Sequence, residues 1–136
     1  ICQCLALAQL ETLNLLKIAK IKPAKLTPLP AQFIPKILKL PNPIFKIISK
    51  KMLAIDPLAR SSMADDLMAG RKTEIDWING EVVYLARQLN LTAPINQKLI
   101  ELVKRAELRS EPKAWSGFEL KARLEQVSKM RTQKSV

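Results

Sequence analysis

Apolar positions in this chain recur every three to four residues, the spacing of helices that bury one face. In residues 1–19, Leu5, Ala8, Leu15, Leu16 and Ala19 fall within one arc, with Thr12 the polar exception. Pro23 blocks continuation of that helix. Prolines at 23, 28, 30, 35, 41 and 43 then cut the chain into a loop, a short turn of helix over 34–38 and a helix over 43–53. In the last of these, Ile44, Ile47, Ile48 and Met52 line one side, Lys46 and Lys50 lie opposite, and Lys51 must snorkel outwards. A short helix follows over 62–69, then a turn over 70–72 and a longer helix over 73–89 with the stripe Ile75, Ile78, Val82, Leu85 and Leu89. After a turn ending at Pro94 comes a helix over 95–108, with Leu99, Leu102 and Val103 inward. A polar linker over 110–116 leads to a last helix whose stripe is Leu120, Leu124, Val127 and Met130.

The helix ends carry chemical signals. Ser61 or Ser62 can cap the 62–69 helix and Thr73 the next, with Asp66 near the first start and Asp76 in the place of a capping-box acid. Gly70 between them suits a helix stop that needs positive φ. Pro94 fits a first helical position. Ser116 with Glu119 forms a second capping box, with Trp115 placed to staple against Leu120. No alternating β-branched runs between tight turns occur, so the fold class is all-α, a multi-helix domain. Residues 1–109 form a helical domain and 110–136 a linker with an extra helix, which either packs back or mediates association.

Residues 60–80 concentrate the candidate chemistry: Ser61, Ser62, Asp65, Asp66, Gly70, Thr73, Glu74 and Asp76. In one straight helix Ser62 and Glu74 would stand about 18 Å apart, at about 1.5 Å of rise per residue, too far to share a small metabolite. A chain folded back at Gly70 instead lets two helix starts converge on a carboxylate or phosphate. The alternative is that these residues only cap helices and that the acids are solvated.

Ser61-Ser62-Met63 with Asp66, then Arg71, Thr73-Glu74-Ile75-Asp76 and Ile78-Asn79-Gly80, resembles the C-terminal helical domain of ketopantoate reductases (2-dehydropantoate 2-reductases). That domain is shared with 6-phosphogluconate dehydrogenase-like proteins. The resemblance continues through Pro94-Ile95-Asn96 to Leu102-Val103, reaches back to Ile21–Leu26, and covers roughly residues 15 to 108. It implies an NADPH-dependent oxidoreductase of pantothenate biosynthesis that reduces a 2-keto acid. Ser62 would then bind the substrate carboxylate, and Glu74 would hold the reacting oxygen as a substrate-binding and catalytic group. Asp66, Thr73 and Asp76 would support the two helix starts. The pattern also departs from the family. Ala59 stands where members often place a substrate-binding asparagine, and the family's upstream catalytic lysine, followed four residues later by asparagine, has no counterpart before Arg60.

Composition narrows the options further. With glycine only at 70, 80 and 117, no Gly-rich dinucleotide loop can form, so no cofactor-binding residues are expected in this chain and NADPH would belong to a separate N-terminal Rossmann domain. The start at Ile1 fits a fragment or processed product, with the first helix as the remainder of a hairpin. That helix would then keep a second apolar face at Leu7, Leu10 and Ile18 for a homodimer or a swapped element to cover. The absence of histidine removes Ser-His-Asp relays and ordinary His-containing zinc sites. Cys2 and Cys4 alone make a poor metal site, so no metal is expected. No apolar run approaches the roughly 20 residues of a membrane span, which leaves a cytoplasmic setting.

The net charge of +11 is concentrated by nine lysines and no acid between Thr12 and Ile55. This opens an alternative function, a basic helical module for nucleic acid or an anionic membrane surface. That segment lacks arginine and has only Phe33 and Phe45 to stack on bases, so specific nucleic-acid recognition is not expected. Steering an anionic substrate towards the neighbouring cleft is the preferred use of the charge.

Overall fold

A computed structural model describes residues 2–24, 30–41, 44–45, 62–108 and 115–133. Among them are six α-helices and no strand: α1 (Cys2–Ile18), α2 (Ile34–Leu38, entered through a 3-10 turn at Ala31–Phe33), α3 (Ser62–Met68), α4 (Ile75–Gln88), α5 (Pro94–Glu107) and α6 (Gly117–Gln133). No helix among the described residues is long and apolar enough to cross a membrane. Of the helix expected over 43–53, Ile44 and Phe45 are helical. Its remainder and the Met130 side chain lie outside the described residues.

Two clusters make the core. Leu15, Ile75, Val83, Ala86, Ala93 and Ile100 form one, and Met63 of α3 packs against it. Cys4, Ala8, Ile95 and Leu124 form the other, with Leu7, Leu99 and Leu120 alongside. α1 and α5 contribute to both, so they are the shared wall of the domain. The last helix packs back onto α1 and α5. Its Leu124 is wholly buried, worth about 1.5–3 kcal/mol against exposure. The capping box at its start is present: Glu119 N–H donates to Ser116 Oγ at 3.2 Å, and Ser116 N–H donates to Glu119 Oε2 at 3.0 Å. The Trp115 ring carries the Arg123 guanidinium 4.2 Å from its centre.

Three helices stop by one device, a left-handed residue followed by an N–H that reaches back over the last turn. It is Lys20 (φ 57°) after α1, Gly70 (φ 66°) after α3 and Asn90 (φ 55°) after α4. The reaching bonds are Ile21 N–H to Leu16 O (2.9 Å), Arg71 N–H to Asp66 O (2.8 Å) and Leu91 N–H to Ala86 O (2.8 Å). The first helix therefore ends at Ile18 and is turned off by Lys20, before Pro23 can block it.

The buried face of α1 also differs from the expected arc. Leu5 is 49% exposed, and the inward positions are Cys4, Ala6, Ala8, Glu11 and Leu15. Thr12 turns its hydroxyl onto Ala8 O of its own helix (3.0 Å). Glu11 explains the rotation. α5 begins after Ala93, whose side chain cannot cap, and Glu11 of α1 caps it from outside. Its carboxylate accepts Ile95 N–H (3.1 Å), Asn96 N–H (2.9 Å) and Asn96 Nδ2 (2.8 Å). A carboxylate only accepts, so Asn96 must turn Nδ2 towards it. Asn96 Oδ1 then accepts Asn79 Nδ2 of α4 at 2.8 Å, which ties three helices through one chain of polar groups. Asn79 and Asn96 border a cavity of about 660 Å³ between α1, α2 and α4.

On α4 the inward face is Ile75, Val83 and Ala86, with Val82, Leu85 and Leu89 partly buried. Ile78, expected inside, is 51% exposed because the amide of Asn79 takes the inward direction at that turn.

Candidate functional site

The segment carrying Ser62 and Glu74 is broken, not a continuous rod. Asp66 is the pivot of the break, and it lies just past the first turn of α3. Its carbonyl accepts Arg71 N–H, and its Oδ1 accepts the Arg71 guanidinium at 2.8 Å. Both bonds fasten the residue that follows Gly70. The acid in the first turn of α3 is Asp65.

Thr73 and Asp76 do not close the expected capping box, because Asp76 does not reach Thr73 N–H. The residue before α4 is Glu74, with φ −84° and ψ 15°, whose own side chain makes no cap bond; Thr73 Oγ1 accepts Ile75 N–H, the first of α4, at 3.4 Å. Thr73 stands one residue earlier and is held by Glu107 at the far end of α5. Glu107 Oε1 accepts Thr73 N–H at 2.8 Å and Thr73 Oγ1–H at 2.7 Å. Asp76 does sit in the first turn of α4, but it pairs with Lys104 of α5 at 2.8 Å. That hydrogen bond is the main reason the Lys104 ammonium titrates above the usual lysine range. The box fails because two α5 side chains reach the same groups first.

Ser62 is the first residue of α3 and Glu74 the last before α4, and both are exposed. Among the described residues no hydrogen bond or ion pair holds either side chain. The neighbours are committed while these two remain available, one on each side of the Gly70 break. A hydroxyl can donate to an anion, and a carboxylate can accept from a hydroxyl. No group of three or more Cys, Asp or Glu that could hold a metal occurs among the described residues.

Glu11 and Glu107 are marked by neither motif nor spacing, and Asn79 and Asn96 stand inside the motif with no role assigned to them. A signal for Glu11 was present, however: α5 starts at Ala-Pro with no residue able to cap it, and Glu11 is the one acid before Asp56.

Fold and loop define an all-helical domain, among the described residues, that presents a free hydroxyl and a free carboxylate on either side of a helix break. A family model described as "Ketopantoate reductase PanE/ApbA C terminal" matches residues 9–107. The chain belongs to that family. Three similar curated proteins are called 2-dehydropantoate 2-reductase. One from Pyrococcus abyssi is 47% identical over 47 residues, covering 35% of this chain and 16% of the relative. One from Shigella flexneri is 42% identical over 72 residues, covering 47% and 24%. One from Pyrobaculum aerophilum is 39% identical over 70 residues, covering 51% and 24%. The chain thus spans about a quarter or less of the length of these relatives. No solved structure matches significantly.

Proposed function

We propose that this chain is the substrate-side helical domain of an NADPH-dependent 2-dehydropantoate 2-reductase. The observation that carries this is the family match over residues 9–107, within which Ser62 and Glu74 are exposed and uncommitted. Three scattered glycines give no loop that could hold a dinucleotide, so the nicotinamide belongs to another domain. NADPH, where bound, supplies a hydride to the keto carbon. Ser62 Oγ–H donates to the substrate carboxylate and sets the acid's orientation. Glu74 accepts the hydrogen of the hydroxyl that replaces the keto group and so fixes the oxygen that receives the proton. Free Cys2 and Cys4 suit the cytoplasm as the site of this work. A basic binding module gains no support from the family match.

The test uses the protein that joins this chain to a nicotinamide-binding domain. NADPH oxidation should depend on 2-dehydropantoate, Ser62→Ala should raise KM, and Glu74→Ala should lower kcat. Wild-type kinetics in both variants, or no turnover of this keto acid, would refute the assignment. Calorimetry on the 136-residue chain alone should show no NADPH binding.

A further inference from the structure

We infer that Glu107 is a positioning residue that sets the place of Glu74, and that the last turn of α5 is therefore part of the reductase machinery. This rests on the role proposed above for Glu74. The two residues are remote in sequence, Glu107 closing α5 and Glu74 standing just before α4. One carboxylate oxygen of Glu107 takes both donors of Thr73, backbone at 2.8 Å and hydroxyl at 2.7 Å, and Thr73 immediately precedes Glu74. One turn earlier on α5, Lys104 holds Asp76, two residues after Glu74, at 2.8 Å. Upstream, Arg71 is fastened to Asp66 at 2.8 Å. Glu74 is thus clamped through its chain neighbours on both sides, while its own carboxylate has no partner among the described residues.

Bonds to an ionised acceptor are the stronger kind, and on Thr73 two of them converge on one oxygen, at 2.8 and 2.7 Å. If α5 served only to anchor the start of α4, a single contact to the α4 backbone would suffice. The clamp instead falls on the residues that flank Glu74. A shift of about 1 Å in an orienting group can lower a rate about a hundredfold, so the placement of Glu74 is where Glu107 would act.

The experiment is a double-mutant cycle in the full-length reductase, reading kcat and KM for 2-dehydropantoate alongside Tm. Glu107→Ala should lower kcat about ten- to hundredfold with KM changed far less. Glu107→Gln keeps an oxygen that accepts both Thr73 donors and should recover most of the lost kcat. In a Glu74→Ala background, Glu107→Ala should cause no further loss of kcat although Tm still falls. Should Glu107→Ala fail to fold, Thr73→Val, which removes the hydroxyl donor to Glu107 and with it the weaker acceptor of Ile75 N–H, should show the same kcat-weighted loss and the same silence without Glu74. Additive losses in either cycle, or native kcat in Glu107→Ala, would overturn the positioning role while leaving the proposed function intact. Native kcat in Glu74→Ala would overturn both.

Discussion

Removing the Glu11 carboxylate should be the most damaging single truncation of a polar side chain in this domain. In Glu11→Ala, three donors that now meet the carboxylate at 2.8–3.1 Å lose their acceptor. Asn96 is 2% exposed and Ile95 6%, so water has little access to replace it. A buried donor left unpaired costs about 1–3 kcal/mol, and loss of a helix cap alone about 0.5–2 kcal/mol. Partial relaxation brings the sum to about 3–5 kcal/mol. At about 3–5 °C per kcal/mol for a chain of this size, Tm should fall by about 10–20 °C. Far-UV circular dichroism during heating and in urea reads this directly, with the urea slope unchanged if only stability moves. Glu11→Gln should fall between, because its NH₂ group would face a donor. Glu81→Ala, at an exposed position of α4, should stay within about 0.5 kcal/mol of wild type. A loss below about 1 kcal/mol in Glu11→Ala would refute the claim that this carboxylate holds α1 and α5 together.

Two glycines should respond in opposite directions to alanine. A Cβ at Gly80 would meet nothing nearer than Asp76 Cβ at 3.9 Å, so Gly80→Ala should stabilise by about 1 kcal/mol; Gly70 has φ 66°, and Gly70→Ala should destabilise by about 1 kcal/mol. Urea midpoints moving the same way in both would contradict this. The Glu101 carboxyl is held below the usual carboxylate range, chiefly by the hydrogen bond from Lys98, with Arg105 adding to it. Its contribution is therefore present at neutral pH and lost as pH falls through its lowered pKa, so Lys98→Met should flatten the acid limb of a stability-against-pH curve. Burial raises the Cys4 thiol above its ordinary range, and its S–H reaches Gly117 O at 3.7 Å. A thiol reagent should label Cys2 in the native protein and Cys4 only after denaturation, and equal native labelling would count against the packing of α6.

Most of the fold was legible because helical periodicity and helix punctuation act locally. The stop at Gly70, the first-turn Pro94 and the Ser116–Glu119 box all follow from residues within a few positions of one another. What was not legible depends on partners far along the chain. Leu5 was placed inside because apolar spacing alone cannot show that Glu11, a charged residue, has an assigned seat at the head of α5. Ile78 and Asn79 exchanged faces for a similar reason, since an amide ladder from Asn96 decides the rotation of α4. Thr73 and Asp76 read as a cap because a sequence window cannot see Glu107 and Lys104. For the candidate site, the motif marks Ser62 and Glu74 and also Asp66, Thr73 and Asp76, while Glu107 and Lys104, which hold Thr73 and Asp76, lie on a helix whose approach no motif announces.

The Asn79–Asn96 bond also decides how this protein ages. Asn79 is followed by Gly80, the pairing most prone to deamidation, in which the glycine nitrogen attacks the side-chain amide carbon, ammonia leaves, and the resulting succinimide opens with water to aspartate or isoaspartate. Here both residues lie inside α4, and the departing nitrogen is engaged by Asn96 at 2.8 Å. Folding therefore shields a dipeptide that is labile in an open chain, and isoelectric focusing of samples incubated with and without urea should show the acidic species accumulating in urea. Once formed, that aspartate would turn an oxygen towards Asn96 Oδ1, so a chain that has decayed while unfolded would refold with two acceptors facing each other between α4 and α5.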